Sequence, residues 1–485
     1  MSEQMILQGK LVGIEDFLLA PAAEDECALA GGGEQHLLAG RSHWIALLAE
    51  VIPRALLAEF GLPRVLLGSS GGGQFLLVLP GDSCGPAGEF LGAAAQGIET
   101  MSRGHLKLTW AFTENLGDWS VVRRRLAEDL QHRLAALAVP GGELFEPFPC
   151  PSHADGYFPG LARQLWEAET VGWSPDSPAR LALGASKHTW GLIPNRAPDT
   201  VTVARHMAPS DDGQSPADLP ALAARAQGRA LWGVLRGDAD NFRIRLRRAQ
   251  TIEEYVQLSV LYKQFFAGEL EVLCSQPEFW RKVTILYSGG DDFAAYGAWD
   301  ALIPLAREMQ RLFHRFSEEN LREFPGPEGK TISMALALAP DPAAALASVF
   351  QEAGRLLELA KAADKDCIYL LGRTLEWRQL ADAAELKETL ARMVGEFGSS
   401  RQVLNELSRF YRKGDLAWGQ GGEHFEKPWR FQRRLNRVLA GARDREVHKL
   451  RAHLANEMMG RGAAQVKLRP AGLVALEWTR LITEV

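Results

Sequence analysis

The sequence predicts an α+β protein with two related ferredoxin-like domains followed by a helical region, and three observations support this. Residues 231–363 follow the order strand-helix-strand-strand-helix-strand, with a further helix behind. A fainter copy of the same order begins near residue 11. After Trp377 apolar residues recur at every third or fourth position, which is typical of helices.

The second copy has the clearer pattern. LWGVLRGD (231–238) is an apolar strand that ends in an acid, and the string GGDD separates two short apolar runs, which predicts a β-hairpin. The order predicts an antiparallel sheet with helices on one face. After the first strand, the predicted elements are a helix over 252–270, hairpin strands over 282–288 and 293–298, a helix over 301–320, a strand over 331–339 and a helix over 345–363.

The internal repeat is most evident at the hairpins. VLLGSSGGGQFLLVLP (65–80) has the same pattern as TILYSGGDDFAAYGA (284–298): an apolar run, Ser-Gly-Gly, two residues and an apolar run. A strand over 11–20 and a helix over 42–61 are predicted upstream of the first hairpin. Its tip is Gly73-Gln74 where the second has Asp291-Asp292, and an acid is missing around Gly13. Only the second copy is therefore expected to carry metal chemistry.

Three carboxylates are the candidate catalytic and metal-binding residues. The first strand of such a sheet lies beside the central hairpin, so Asp238 is expected to approach Asp291 and Asp292. Carboxylates this close repel one another unless cations neutralise them, and Mg²⁺ prefers carboxylate, water and phosphate oxygens. Two ions of Mg²⁺ or Mn²⁺ could then support an in-line displacement. The alternatives are an ordinary hairpin turn at GGDD, and Asp238 and Asp240 acting only as turn caps.

Residues around these acids are candidates for nucleotide binding. Gly289 and Gly290 lack Cβ atoms where a nucleotide would lie against the hairpin. Lys361 and Lys365 are predicted on one helix face, at i and i+4, where they could hold a triphosphate. The alternative is that both lysines are simply solvated.

Composition and absent motifs narrow the function classes. With 46% hydrophobic and 24% charged residues in 485, the chain is an ordinary globular protein. There is no signal peptide pattern or membrane-spanning run, and five scattered cysteines favour a reducing compartment, so a cytoplasmic location is expected. The sequence has no GxxxxGK[ST] loop, HExxH motif or CxxC pair, so no zinc is predicted.

Several motifs together resemble the large, polymerase/cyclase-like subunit of type III CRISPR–Cas effector complexes. LVGIEDFLL, AGRSHWIALLAEVI and SSGGGQFLLVLP are similar to that family's first palm domain. GVLRGDADNF, ILYSGGDDFAAYG and LAKAADKDCIYLLGRTLEW are similar to its second, catalytic palm. The resemblance implies a first palm over 1–150, an inter-palm segment over 151–229, a second palm over 230–378 and a helical domain over 379–485.

The resemblance implies synthesis of cyclic oligoadenylates from ATP, activated when a guide RNA captures a target RNA. One ATP would occupy the carboxylate site, near Ser288. The 3′-hydroxyl of one ATP would attack the α-phosphate of the other. The implied partners are guide RNA, target RNA and the other subunits of the complex. The second ATP would lie against Ser70, Gly71 and Gly72 of the first palm.

The sequence departs from the family pattern in three places. Many members begin with an HD nuclease domain, but this sequence contains no His-Asp dipeptide, so DNA cleavage by this chain is not expected. Of the usual four-cysteine zinc element between the palms, only Cys150 remains. Asp366 stands where asparagine is usual. Two other functions stay open: a catalytically silent scaffold of the same complex, and a stand-alone cyclic dinucleotide synthase.

Charge is unevenly distributed. The whole chain carries −6, whereas residues 401–470 hold 16 Lys and Arg against 7 Asp and Glu, a local charge of +9. This stretch is a candidate RNA-binding or subunit-binding surface, and its alternative is a solvated helix face.

Overall fold

The computed structural model describes residues 4–22, 33–138, 156–192, 200–395, 459–461 and 466–484, with five single positions between 404 and 449. The segment 409–432 and most of the basic stretch 401–470 therefore lie outside the described residues. None of the helices in the described part of the chain combines the length and hydropathy that a bilayer span requires.

The first sheet has the ferredoxin-like strand order. It contains four antiparallel strands in the order β2-β3-β1-β4, where the outer strand β4 lies beside β1. Helices connect the strands in the expected places. The elements are β1 (Gln4–Val12), α1 (Ile14–Leu18), α2 (Glu34–Glu59), β2 (Leu67–Gly71), β3 (Gln74–Pro80), α3 (Cys84–Met101), β4 (Lys107–Glu114) and α4 (Trp119–Ala138).

Two predicted boundaries in this region are wrong. The first strand covers Gln4–Val12 rather than 11–20, because Gly13 adopts φ +83° and residues Ile14–Leu18 then form a helical turn. The following helix begins at Glu34 rather than 42. It is buried at 22 of its 26 positions, polar ones included, so its sequence lacks the one-sided apolar pattern that marks a surface helix.

A connecting region follows the first sheet and packs against α2. Gly40 of α2 lies so close to the helix Tyr157–Leu165 that an added Cβ would be 1.8 Å from the carbonyl oxygen of Phe158. The elements are α5 (Tyr157–Leu165), β5 (Thr170–Trp173), β6 (His188–Gly191) and α6 (Leu219–Ala224).

The second sheet repeats the first and extends it. Its order is β12-β11-β10-β7-β9-β8, in which β10-β7-β9-β8 is the ferredoxin-like antiparallel set. The two added strands were not predicted, and β11 pairs parallel to β10, so the sheet is mixed. The elements are β7 (Trp232–Ala239), α7 (Phe242–Arg247), α8 (Ile252–Lys263), α9 (Leu270–Cys274), β8 (Val283–Ser288), β9 (Asp292–Ala298), α10 (Trp299–Asn320), β10 (Ile332–Leu338), α11 (Leu346–Ala363), β11 (Cys367–Leu370) and β12 (Arg373–Glu376).

Other elements complete the fold. A π-helical turn over Gln264–Glu269 joins α8 to α9, so the helix predicted over 252–270 continues to Cys274. Beyond the second sheet lie α12 (Trp377–Gly395), the strands β13 (Met459–Arg461) and β14 (Val466–Leu468), and α13 (Pro470–Thr483). The fold class is confirmed: two ferredoxin-like domains and a helical C-terminal region. The four domain boundaries remain predictions.

Candidate active site

Asp238 and Asp292 are direct neighbours on adjacent strands. They are register partners in the β7–β9 ladder, where Cα atoms lie about 4.5–5.5 Å apart. Asp291 precedes Asp292 in the turn, and its carbonyl oxygen accepts a 2.8 Å hydrogen bond from the Ala239 amide at the end of β7. The fold thus brings the three predicted acids together at one end of the inner strands β7 and β9 of the second sheet.

Crowding changes the ionisation of these acids. Burial raises the pKa of Asp291 to about 8, and the Asp292 and Asp238 carboxylates add to the rise. Burial also raises the pKa of Asp292 to about 6, with a further contribution from Asp238. The pKa of Asp238 is raised by burial despite the opposing effect of Lys361. A cation would relieve this repulsion.

Lys361 and Lys365 both reach the end of β7, but not from one helix face as predicted. The Lys361 ammonium lies 2.9 Å from Asp238 Oδ2. α11 ends at Ala363, and Lys365 follows it with φ +59°, donating a 2.5 Å hydrogen bond from Nζ to Asn241 Oδ1. The shared-face prediction is wrong because the chain turns sharply into β11 after the helix.

Asp240 holds the turn between α11 and β11 and is not part of the carboxylate cluster. Its Oδ2 accepts hydrogen bonds from the Asp366 amide (3.0 Å) and the Thr331 hydroxyl (2.8 Å), and its Oδ1 accepts one from Ser333 (2.8 Å). Asp366 has φ +47°, a conformation that Asp and Asn tolerate better than other non-glycine residues. Asp240 therefore has a structural role, although it holds the turn at Asp366 rather than capping the turn after β7 as the alternative had it, and Asp366 fits its turn in place of asparagine.

The two glycines before Asp291 have different surroundings. A Cβ on Gly289 would be 2.1 Å from Asp292 Oδ1, whereas a Cβ on Gly290 would meet nothing within 4 Å. Gly289 thus makes room for the Asp292 carboxylate, and Gly290 leaves an open surface. The prediction that both glycines admit a nucleotide remains untested.

The glycine-rich hairpin of the first domain faces this site. A Cβ on Gly72 would lie 2.9 Å from the backbone nitrogen of Gly290, so the two hairpin tips are in contact. The register places Lys10 opposite Gln74, as Asp238 is opposite Asp292. The counterpart of Asp238 is therefore Lys10, and its predicted place near Gly13 is wrong, because Gly13 lies beyond the end of β1.

Ser70 and Ser288 occupy equivalent hairpin positions but have different partners. The Ser70 hydroxyl donates to Glu50 Oε2 (3.0 Å) and accepts from Lys263 Nζ (3.3 Å) and Arg54 Nη1 (3.5 Å). The Ser288 hydroxyl is buried and has no hydrogen-bond partner among the described residues. Ser288 thus has a buried hydroxyl without a partner, whereas the Ser70 hydroxyl is bonded to protein groups.

Sequence reasoning missed two residues that contact the carboxylate cluster. The Tyr287 hydroxyl donates to Asp292 Oδ2 at 3.2 Å, and Arg236 Nη2 donates to that hydroxyl at 3.4 Å. The Arg236 guanidinium also stacks on Phe350, 4.4 Å from the ring centroid. An arginine within the apolar strand LWGVLRGD was the available signal, since a buried charge needs a partner.

Replacing Tyr287 with phenylalanine is expected to weaken the site without unfolding it. Loss of the hydroxyl removes a donor that orients Asp292, and removal of such an outer-shell donor lowers metal affinity about 10–100-fold. The measurement is Mn²⁺ titration followed by electron paramagnetic resonance. Tyr296→Phe is the matched control, since Tyr296 is buried in the same hairpin but contacts Thr284. Equal affinities for the two variants would contradict the orienting role.

The donor chemistry of the cluster fits a hard divalent cation. Its carboxylates are crowded, and the Lys361 ammonium already neutralises one of them. No group of three or more His, Cys, Asp or Glu side chains in the described ranges is arranged as a metal-ligand set. Mg²⁺ is commonly held by one or two carboxylates together with water and substrate phosphates, so the Asp238–Asp292 pair could suffice. The metal and the number of ions remain predictions.

The raised pKa values predict a pH-dependent stability in chelator-treated protein. An acid whose pKa is higher in the folded state stabilises the fold at low pH, and this contribution is lost as pH rises through the folded pKa. The melting temperature is therefore expected to fall between about pH 4 and pH 8. Asp291→Asn with Asp292→Asn is expected to flatten this fall in a calorimetric pH series. An unchanged slope of melting temperature against pH in the double variant would contradict the raised pKa values.

One cavity lined by described residues lies away from the carboxylates. Its volume is about 510 Å³, and it is lined by residues of the connecting region and of the second domain, including Trp166, Arg205, His206, Glu271 and Trp280. None of the predicted site residues lines it. The candidate site is defined by the hairpin contact and its charges rather than by cavity size.

Comparison with known proteins supports the resemblance. The family model of Cas10/Cmr2, second palm domain, matches residues 231–369. A CRISPR system single-strand-specific deoxyribonuclease Cas10/Csm1 (subtype III-A) from Mycobacterium tuberculosis is 29% identical over 180 residues, which cover 32% of this chain and 21% of the relative. The protein of that name from Enterococcus italicus is 30% identical over 175 residues, covering 34% and 21%. The matched part thus spans about a fifth of each relative.

Solved structures show the same fold over nearly the whole chain. The apo Csm1–Csm4 cassette aligns with a TM-score of 0.74 and 16% identity, covering 99% of this chain and 70% of that one. Csm1 in T. onnurineus aligns with a TM-score of 0.71 and 16% identity, covering 100% and 70%. A Csm1–Csm4 cassette in complex with cA4 has a TM-score of 0.72, 16% identity and coverage of 99% and 70%.

Proposed function

Because this chain belongs to the Cas10/Csm1 family of large subunits of type III CRISPR complexes, we propose that it makes cyclic oligoadenylates from ATP. The observation that carries the proposal is the pairing of Asp238 with Asp292, with Asp291 at a hairpin tip that touches the glycine turn of the first palm. Two nucleotides bound on the two palms would meet at this contact.

The proposed reaction is nucleotidyl transfer. The 3′-hydroxyl of one ATP attacks the α-phosphorus of the other, the bond from that phosphorus to the β-phosphate bridging oxygen breaks, and pyrophosphate leaves. A divalent cation, when bound, would supply activation of the attacking hydroxyl and charge neutralisation. Asp238 and Asp292 would hold it, with Asp291 beside them.

Other side chains would position the donor ATP. Lys361 would exchange its contact with Asp238 for a phosphate oxygen, and Lys365, which lies near the same strand end, would bind a second one. Positioning and neutralisation supply most of the catalysis in phosphoryl transfer. The unpartnered hydroxyl of Ser288 would contact the base or ribose once a shift of the hairpin exposes it. Gly71 and Gly72 would border the second nucleotide.

We propose that the chain acts within a ribonucleoprotein. Related structures are described as Csm1–Csm4 assemblies, and some as complexes with AMPPNP, ATP or cA4. By analogy, the partners here are other type III subunits, guide RNA and target RNA, and capture of target RNA switches synthesis on.

Product analysis tests the proposed function. The assembled complex is incubated with ATP, Mg²⁺ and RNA complementary to the guide, and nucleotides are separated by chromatography and identified by mass. Cyclic oligoadenylates that depend on target RNA are expected. Intact RNA binding with no cyclic product would favour a silent scaffold. A cyclic dinucleotide made from GTP by the isolated chain would favour a stand-alone synthase.

A further inference from the structure

We propose that the first palm binds the triphosphate of its nucleotide with cationic side chains, Lys10 foremost, and without a metal ion. This inference rests on the proposed function, because it concerns how the second nucleotide is held. It assigns a phosphate-binding role to a residue outside the carboxylate site.

The two palms can be superposed by a glycine–phenylalanine contact that each contains. A Cβ on Gly9 would lie 2.1 Å from the Phe75 ring, and a Cβ on Gly237 would lie 2.3 Å from the Phe293 ring. Gly9 pairs with Phe75 and Gly237 with Phe293 in their ladders. This shared contact fixes the register of the internal repeat.

One residue further along each ladder, the charges are opposite. The second palm has the pair Asp238–Asp292, and the first palm has Lys10–Gln74. Lys10 is exposed and makes no ion pair with the described residues. At the position where the second palm offers carboxylates to a cation, the first palm therefore offers an ammonium group to an anion.

A second group of charges lies behind the glycine hairpin. Glu50 is 1% exposed and forms ion pairs with Arg54 (2.8 Å) of its own helix and Lys263 (2.6 Å) of the second palm. The buried cluster of these three side chains therefore contains two positive charges and one negative charge. A Cβ on Gly71 would lie 3.4 Å from Lys263 Cδ, so the hairpin lies directly on the cluster.

The net positive charge around the hairpin of the first palm favours an anionic ligand. Positive charges at Lys10 and behind the hairpin repel a divalent cation and attract the phosphates of a nucleotide. Backbone amides of the Gly71–Gly73 turn, where all three glycines have positive φ, add donors without side chains in the way. The ligand class is a nucleoside triphosphate bound through its phosphates.

Calorimetric titration of the full chain with AMPPNP tests this inference. The wild-type chain is expected to bind at both palms in Mg²⁺, and at the first palm alone in excess EDTA. Lys10→Met should lower the affinity of the EDTA-resistant site for AMPPNP about 10–100-fold, because one charge-assisted hydrogen bond is lost. Lys10→Arg should retain that site, and Arg124→Met, an exposed charge on α4, should leave it unchanged.

The outcomes separate this inference from the proposed function. A wild-type chain with no EDTA-resistant site, or a Lys10→Met variant that keeps it at full affinity, would overturn the inference. Neither result depends on whether cyclic products form. Absence of products from the wild-type complex would instead count against the proposed function and leave the binding data interpretable.

Discussion

Replacing Asp291 and Asp292 together with alanine is expected to abolish oligoadenylate synthesis, with a loss of at least about 10³-fold in rate. The two carboxylates lie at the contact between the hairpins, and their loss would leave only Asp238, which already pairs with Lys361 at 2.9 Å, to hold a cation. The measurement is the rate of cyclic product formation by the assembled complex. Assembly and RNA binding should stay close to normal.

The same substitution should not destabilise the metal-free protein. Burial, and secondarily the neighbouring carboxylates, raise the pKa of both acids, so removing them relieves the cost of burying charge and the mutual repulsion. Asp341→Ala, an exposed acid of the same domain that caps only its own turn, is the matched control and should keep full activity. Loss of assembly in the double variant would mean that the hairpin is structural.

Gly289→Ala is expected to reduce synthesis about 10²-fold or more, although it adds a single methyl group. The new Cβ would lie 2.1 Å from Asp292 Oδ1, so the carboxylate must leave its present position. Displacements of about 1 Å in a catalytic site have effects of this size. The measurement is kcat for product formation, together with Mn²⁺ affinity.

Gly290→Ala is the matched comparison for this effect. A Cβ at this position meets no other atom within 4 Å. The Gly290→Ala variant should therefore lose clearly less activity than the Gly289→Ala variant. If the two variants lost activity equally, the essential feature would be the flexibility of the turn rather than the position of Asp292.

Local sequence patterns predicted the second palm well and the first palm less well. GGDD between two apolar runs identified β8 and β9, because a hairpin is a short-range feature. In the first palm, β1 contains Lys10 and Gln8 within QMILQGKLV, which hides the strand. α2 is buried on all sides between other elements, so its beginning depends on tertiary contacts.

The acids of the candidate site were predictable, whereas their supporting residues were not. Strand order alone brings Asp238 beside Asp292, which are 54 positions apart in the sequence. The contacts of Tyr287 and Arg236, and the cluster of Glu50 with Lys263, depend on side-chain directions and on how the palms meet. Lys365 was misplaced because α11 ends at Ala363, and the turn that follows is held by a hydrogen bond from the Asp366 amide to the distant carboxylate of Asp240.

Anomalous diffraction from crystals soaked with Mn²⁺ and AMPPNP tests the central claim most directly. The account predicts a manganese peak within about 2–2.5 Å of carboxylate oxygens of Asp238 and Asp292, with the triphosphate on the same ion. A nucleotide bound elsewhere, or manganese absent from these carboxylates while the nucleotide is bound, would contradict it.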